Sequence, residues 1–255
     1  MRRPVAVLAA RAAILAVTLA AWEVAARPTG GADLIAPPSA IAQALFATVL
    51  RDGAIRSAIL FTLFEVLCAY ALAVAGGLVL GLAIGSTEMA RRSFYPVVLL
   101  LYAIPQVVML PLVTLVFGIG PAAKIAFGFS HGVFPVLVNV IAGMRNVNPL
   151  YVRAATAMGA QRADIIRHVM FPHMATSFFT GLRLAMTTTL LGVILAELYV
   201  STAGVGYFTK LFAENFDPAP LFALIGILAV MAIALNELAR SVERRFTHWR
   251  TASTS

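Results

Sequence analysis

The sequence contains 255 residues, of which 61% are hydrophobic and 12% charged, with a mean hydropathy of +0.91. Soluble domains are about 45–50% apolar and about 25% charged. This composition therefore excludes a soluble globular enzyme, a disordered chain and a disulfide scaffold. The formal net charge is +8, which in a soluble chain would favour nucleic-acid binding. With so few charged residues, their positions along the chain matter more than their sum.

Six segments are long and apolar enough to cross a bilayer, which takes roughly 20 residues in a helix. The first has no clear cleavage site, so it is predicted to be an uncleaved anchor rather than a signal peptide. The alternating pattern of a membrane barrel is absent, so we expect an all-α membrane protein forming a single transmembrane domain over residues 1–255. The predicted spans are residues 5–25, 57–84, 94–117, 122–144, 177–200 and 220–238.

A short helix is predicted between the first and second spans. Pro37, Pro38 and Ser39 form a helix-start signal, with Ser39 as the N-cap. Residues 40–50 are good helix formers but too few to span a bilayer. They are therefore predicted to lie along the outer surface of the membrane.

The second span carries small residues at a strict spacing of four, at Ala73, Gly77, Gly81 and Gly85. Such a stripe lets another helix approach closely, because no large side chain separates the two backbones. It therefore predicts tight helix packing.

Prolines distinguish the third span, where Pro105 and Pro111 are each predicted to kink the helix. Helices broken by proline often line transport pathways, and simple bends are equally common. A pathway role and a structural bend therefore both stay open. The candidate pathway-lining residues are Pro105, Gln106 and Met109, together with Thr187, Thr188 and Thr189 of the fifth span.

Ionisable residues inside a bilayer are costly and raise functional hypotheses by default. The candidates are Glu65, Arg183 and Glu197. Arg183 and Glu197 lie about 21 Å apart along one helix, so they cannot pair with each other. Snorkelling, or a structural partner on another helix, is the alternative to a functional role.

The basic residues predict the orientation, because cytoplasmic loops carry an excess of Lys and Arg. With the N-terminus in the cytoplasm, thirteen of the 19 bases lie on the inner side and Arg183 lies in the membrane. Both termini are therefore predicted to be cytoplasmic. The outer bases are Arg27, Arg51, Arg56, Lys124 and Lys210.

The cytoplasmic segment 145–173 is predicted to form a helix–glycine–helix elbow. Asn148–Pro149 starts the first helix, and Gly159 ends it as a C-cap glycine. A second short helix is predicted over residues 161–170, ending before Pro172.

Small side chains at Ala154, Ala155 and Ala157 are predicted to be displayed on this elbow. Such a surface suits insertion into a cleft on another protein. An ordinary amphipathic hairpin explains the same residues equally well.

The sequence lacks the common motifs for nucleotide binding, metal binding and catalysis. The sequence has no G-x-x-x-x-G-K-[ST] loop, so the chain is not expected to hold ATP itself. The four histidines are scattered, and His168 and His173 are poorly spaced for a helical metal pair. No metal site and no catalytic site are predicted.

The elbow resembles the EAA loop of binding-protein-dependent ABC importer permeases, whose pattern is Glu-Ala-Ala, three residues, Gly and a proline-ended helix. Arg153 stands where the family usually has an acid, and Thr176 where a second proline is common. The resemblance covers nearly the whole chain. Within the family, the sequence is most similar to the nitrate, sulfonate and taurine branch. The elbow matches are Ala154, Ala155, Gly159, Ala160 and Pro172; the others are Ala36–Ser39, Ile104–Pro105, Pro111–Leu112, Phe117–Gly120, Gly181–Arg183, Ala196–Glu197, Gly204–Tyr207 and Glu243–Arg245 followed by Trp249.

This resemblance implies a type I ABC importer-like permease in the bacterial inner membrane, with six transmembrane helices and a cytoplasmic coupling-helix loop. It also implies a homodimer with the pathway at the subunit interface. Two cytoplasmic ATPase subunits would bind the elbow, and a periplasmic binding protein would deliver the solute. ATP and Mg would reside on the ATPase, so this chain is expected to bind no cofactor, to catalyse no reaction and to contact lipid but not nucleic acid. The implied ATPase-coupling residues are Arg153, Ala154, Ala155, Met158, Gly159, Ala160 and Asp164.

The solute implied by the resemblance is a small nitrate-, sulfonate- or taurine-like anion. An ion-coupled secondary transporter is the alternative, but it would favour inverted repeats and midplane carboxylates. The sequence shows no repeat, and Glu65 is its only acid well inside a span. A membrane-embedded enzyme would need clustered catalytic groups, whereas the histidines and acids here are dispersed along the chain.

Overall fold

The computed structural model of the chain describes residues 2–27 and 35–247. Trp249 of the tail motif and the inner base Arg250 lie outside these ranges. Regular structure within them is helical, which confirms the all-α prediction. The helices are α1 (Arg2–Ala25), α2 (Pro38–Ala44), α3 (Gly53–Gly85), α4 (Glu88–Ala103), α5 (Leu110–Phe117), α6 (Pro121–Arg145), α7 (Pro149–Ala157), α8 (Arg162–Ile165), α9 (Phe171–Val200), α10 (Val205–Glu214) and α11 (Pro218–Thr247).

Five helices in the described ranges are long and apolar enough to cross a membrane, and α4 with α5 makes a sixth if the bent pair is one span. The chain divides into two compact units, Met1–Leu60 with Ala203–Val230 and Phe61–Thr202 with Met231–Ser255. The single transmembrane domain stays a prediction.

The third span is not the single kinked helix that residues 94–117 predict. Its two halves, α4 and α5, meet at an angle of 84°. Ile104 is extended (φ −64°, ψ 129°), as expected of a residue that precedes a proline. Pro105 then leads into a 3₁₀ turn over Gln106–Met109. The chain therefore breaks at Pro105 instead of bending through it.

Pro111 does not kink a helix, because it lies in the first turn of α5. A proline is tolerated there since the first backbone N–H groups of a helix have no partner within it. The two prolines of this span therefore act differently. Pro105 ends one helix, and Pro111 helps to start the next.

The predicted Ser39 cap is also wrong. Helix α2 begins at Pro38 with Pro37 as its N-cap, so Ser39 lies inside the first turn. Its backbone N–H and its hydroxyl donate to the carboxylate of Glu23, at 3.0 and 2.8 Å. A carboxylate at a helix N-terminus satisfies these donors and opposes the helix dipole. The acceptor that starts α2 thus comes from α1, and a π turn over Leu45–Val49 follows.

The first unit buries an apolar core between α2, α3, α10 and α11. Val49, Ile55, Val205 and Leu224 are buried at its centre. In this unit Trp22 of α1 packs edge-on against Phe222, with ring centroids 6.2 Å apart. Burial of these side chains supplies the hydrophobic stabilisation of the unit.

In the second unit the glycine stripe of α3 lies directly against α6. A Cβ atom built on Gly77 would lie 2.6 Å from Val136 Cβ, and one on Gly81 would lie 2.6 Å from Val140 Cγ1. On Gly85 it would lie 2.7 Å from the sulfur of Met144. The partners on α6 repeat every four residues, as the stripe does. The two helices therefore approach as closely as a small-residue seam permits.

Candidate functional site

The elbow that joins α6 to α9 is built from local backbone signals. The side chain of Asn148 accepts a hydrogen bond from the backbone N–H of Leu150 at 2.9 Å and so starts α7. At the other end Gly159 has φ +85°, a conformation that is easiest for glycine. The N–H of Gly159 donates to Thr156 O and that of Ala160 to Ala155 O, each at 3.0 Å. These two bonds define a Schellman motif, which confirms the predicted end of the helix.

Helix α8 starts immediately afterwards. The backbone N–H of Gln161 donates to the carboxylate of Asp164 at 3.1 Å, so this acid satisfies a donor at the helix start. The guanidinium of Arg162 reaches the backbone oxygen of Ser86 at 3.4 Å, beyond the end of α3. Both side chains therefore orient α8. A role for Asp164 in coupling stays a prediction.

The second elbow helix does not end before Pro172, contrary to the sequence prediction. The chain is helical without interruption from Arg162 to Val200. In a regular helix a proline ring clashes with the carbonyl four residues earlier. Here a π turn over Ile166–Met170 ends two residues before Pro172 and changes that spacing. The helix can therefore continue through the proline into the fifth span.

Helix α7 has one packed face and one outward face. Ala155 is only 7% exposed and Val152 is half-buried, so they lie on the packed face. The prediction that Ala155 is displayed is therefore wrong, because it falls on the opposite side of the helix from Ala154 and Ala157. Tyr151 and Thr156 are also exposed, and the name outward face is used here for the exposed residues Leu150, Arg153, Ala154, Ala157 and Met158.

The pathway candidates at the α4–α5 break lie close together in the chain. Pro105 is exposed, and Gln106 and Met109 are half-buried in the 3₁₀ turn. The amide of Gln106 lies 3.4 Å from the backbone oxygens of Leu101 and Ile104. Gln106 is therefore directed toward carbonyls at the break, and its pathway role stays a prediction.

The three threonines of α9 face different surroundings. Thr189 is buried, and a Cβ atom built on Gly132 would lie 2.0 Å from its hydroxyl oxygen. Thr187 is exposed and donates to the side-chain oxygen of Asn236 on α11 at 3.3 Å. Thr188 is half-buried and donates to backbone oxygens of its own helix. The three threonines therefore lie on different sides of α9. Their role in lining the transport pathway also stays a prediction.

Four buried polar side chains from three helices meet in one place, called here the ionic cluster: Thr62 and Glu65 of α3, Lys124 of α6 and Glu197 of α9. Lys124 Nζ lies 2.7 Å from Glu65 Oε1, and the side chains are 2% and 0% exposed. Thr62, one turn before Glu65 on α3, donates to Glu197 Oε1 at 2.7 Å. The ammonium lies 4.5 Å from the centroid of the Phe61 ring, within cation–π range. The cluster ties α3 to α6 and to α9.

The sequence counts Lys124 as an outer-side base at the start of the predicted span 122–144, and it does not predict that the side chain is buried. Lys124 lies in the first turns of α6 and is fully buried. Its position three residues after the helix-starting Pro121, inside the predicted span, is the local signal that places it in a helix. Its partner Glu65 is distant in sequence, so the pairing needs the tertiary structure.

Arg183 and Glu197 both have partners on other helices. Glu197 is bonded to Thr62, and Arg183 Nε lies 3.5 Å from Glu243 Oε2 on α11. These contacts favour the structural interpretation of both residues. In the described part of the chain, no group of three or more His, Cys, Asp or Glu residues could hold a metal ion.

Residues 73–248 match the family described as binding-protein-dependent transport system inner membrane component. The taurine transport system permease protein TauC of Escherichia coli (strain K12) is 28% identical over 232 residues, covering 89% of this chain and 84% of TauC. The formylaminopyrimidine transport permease protein ThiX of Halalkalibacterium halodurans is 28% identical over 229 residues, covering 90% and 91%. SsuC of Bacillus subtilis (strain 168), named for the transport of aliphatic sulfonates, is 25% identical over 241 residues, covering 93% and 86%.

Among solved structures, an inward-facing conformation of the MetNI methionine ABC transporter superposes with a TM-score of 0.62 at 17% identity. The superposition covers 72% of this chain and 94% of that chain. At this identity the likeness shows the fold, and it confirms the predicted architecture of a type I importer permease. The family match extends over more than half of the sequence, so the chain belongs to the family of inner membrane components of binding-protein-dependent transport systems, the permease subunits of ABC importers.

Proposed function

We propose that this chain is the permease subunit through which a small sulfonate- or taurine-like solute enters the cytoplasm by alternating access. The solute class is supported by the names of two relatives, TauC and SsuC. ThiX is named for a formylaminopyrimidine, so solute chemistry varies among proteins that resemble this chain. The family consists of transport components rather than catalysts, and we propose that ATP is hydrolysed by a partner subunit.

The observation that carries this proposal is the elbow. Its Schellman motif and the capped start of α8 set a fixed angle between α7 and the long helix that follows. The outward face of α7 is exposed in the single chain. We propose that two ATPase subunits receive this face in a homodimer of permeases, and that a periplasmic binding protein supplies the solute. ATP-driven closure of the ATPases would then move α7 and switch the permease between two states.

We also propose that both termini are cytoplasmic. The buried position of Lys124 supports this orientation, because it removes one base from the outer-side count and leaves Arg27, Arg51, Arg56 and Lys210. A reporter fused after Arg250 should be active on the cytoplasmic side. Periplasmic activity of that fusion would contradict the proposed topology.

Transport by the reconstituted complex tests the function directly. The permease should be purified with its ATPase, placed in proteoliposomes and supplied with its binding protein and labelled taurine. We expect accumulation of taurine that requires ATP and the binding protein. Accumulation driven by a proton or sodium gradient without ATP would instead establish an ion-coupled secondary transporter.

Gly159 provides the first mutational test. We expect Gly159→Arg to abolish ATP-driven transport and association with the ATPase, while membrane insertion stays normal. The reason is the positive φ of Gly159, which costs a residue with a Cβ atom about 1–2 kcal/mol. To avoid this cost, the arginine variant would change the angle between the two elbow helices. The measurements are taurine uptake, the yield of permease in membranes and the amount of ATPase that co-purifies.

Gly159→Asn is the matched control. A Cβ atom at this position meets no other atom within 4 Å, so the penalty comes from the backbone alone. Asparagine adopts positive φ more readily than most residues, and this variant should keep a substantial part of the activity. Normal ATPase yield with Gly159→Arg would refute the proposed coupling.

A further inference from the structure

We propose that the partner cleft that receives α7 carries a carboxylate facing Arg153, set between apolar walls. This inference rests on the proposed function, since it concerns the ATPase that docks on the elbow. It specifies the chemistry of that partner at one point of contact.

The outward face has a simple layout. Leu150, Arg153, Ala154 and Ala157 follow the i, i+3, i+4, i+7 spacing of a single helix stripe. Leu150 is 60% exposed, and Met158, just past the helix end, is 81% exposed. Two large apolar side chains thus flank two alanines, where a partner backbone can approach closely. Such a surface predicts a cleft that is narrow at its centre and apolar at both ends.

Arg153 is the only charged residue of α7. It is exposed, and it lies on the same stripe as the two alanines. A cleft that closes over this stripe would take the guanidinium out of water, which is costly unless an opposite charge meets it. A carboxylate suits this need best, because its two oxygens match the forked N–H groups of arginine.

No carboxylate of the elbow itself meets this need. Asp164 is the only acid between Arg145 and His173, and it accepts the backbone N–H of Gln161 at the start of α8. The other bases of the elbow add positive charge, since Arg145, Arg162 and Arg167 are also exposed. Because the elbow offers no such carboxylate, we assign the charge that complements Arg153 to the partner.

Binding of the ATPase to the permease in nanodiscs tests the inference. We expect Arg153→Glu to raise the Kd by about 30-fold or more at low salt, because it sets two acids against each other within a closed interface. Arg153→Lys keeps the charge and loses the fork, so a smaller increase is expected. Arg167→Glu is the matched control, since it reverses an exposed charge of the same elbow away from the outward face.

Rescue identifies the partner group. In the Arg153→Glu background, each acidic residue of the ATPase cleft is changed in turn to lysine. One such change should restore binding and uptake to near the original values, while in the original permease the same change should weaken both. No rescue at any position, or tighter binding by Arg153→Glu, would overturn the inference.

Membrane lipid is the competing target for an exposed arginine. The measurement is therefore repeated in nanodiscs made only of zwitterionic phosphatidylcholine and in nanodiscs containing phosphatidylglycerol. An effect of Arg153→Glu in both supports a protein carboxylate, and an effect confined to anionic lipid overturns it. Equal binding of the Arg153 variants would refute this inference alone, whereas failure of the original permease to bind any ATPase would refute the proposed function.

Discussion

Lys124→Met should lower the free energy of unfolding by about 3–5 kcal/mol, because it removes one partner of a buried ion pair. Glu65 would keep its carboxylate in a fully buried position, 0% exposed, without the ammonium that now lies 2.7 Å away. The change in volume is small, so lost packing explains little of the effect. Unfolding of the purified permease, followed by circular dichroism during titration with a denaturing detergent, measures the loss.

A second substitution separates charge from packing. Adding Glu65→Leu to Lys124→Met removes the stranded carboxylate, and we expect most of the lost stability to return. Lys210→Met is the surface control, since Lys210 lies 3.7 Å from Glu214 with both side chains exposed. That variant should cost less than about 1 kcal/mol. A Lys124→Met protein as stable as the original would show that the ionic cluster does not hold the three helices together.

Gly81→Leu should destabilise the permease by about 3 kcal/mol, near the upper end of the usual cost of overpacking. A Cβ atom at this position would lie 2.6 Å from Val140 Cγ1 and 2.7 Å from Val140 Cβ. The Cβ atom cannot rotate away, so α3 and α6 must separate. Thermal unfolding and the yield of folded protein in the membrane fraction measure the effect.

Gly226→Leu is the control for this substitution, because a Cβ atom at Gly226 in α11 meets nothing within 4 Å. We expect little change, or a small gain, because leucine favours helix more than glycine does. Val140→Ala combined with Gly81→Ala should recover only part of the stability lost by Gly81→Ala alone, because it removes Cγ1 while Cβ of residue 140 stays close. Equal stability of Gly81→Leu and Gly226→Leu would contradict close packing at the seam.

Features that depend on neighbouring residues could be predicted from the sequence. Gly159 ends α7 because a residue with positive φ is needed there, and that signal lies within four residues of chain. The spacing of Gly77, Gly81 and Gly85 predicts a close helix approach, although it names no partner helix. The apolar runs predict the spanning helices because the bilayer sets their length.

Features that depend on distant residues could not be predicted. Ser39 looks like an N-cap, but the acceptor at the start of α2 is Glu23, which another helix supplies. Lys124 looks like an outer-side base at the start of a span, yet the carboxylate of Glu65 allows its burial. Pro172 looks like a helix end, and only the π turn before it shows otherwise. In each case a partner or a backbone irregularity outweighs the local signal.

The unbroken helix from Arg162 to Val200 determines how force would travel through the permease. Its 39 residues correspond to a straight helix about 58 Å long at 1.5 Å per residue. If this helix moves as one rigid body, a displacement of the elbow tilts the whole of it, including the fifth span. A tilt of about 5° moves the far end of such a helix by about 5 Å. Glu197 lies at that far end and accepts a hydrogen bond from Thr62 of α3. The contacts of the ionic cluster would therefore resist the movement of this end of the helix.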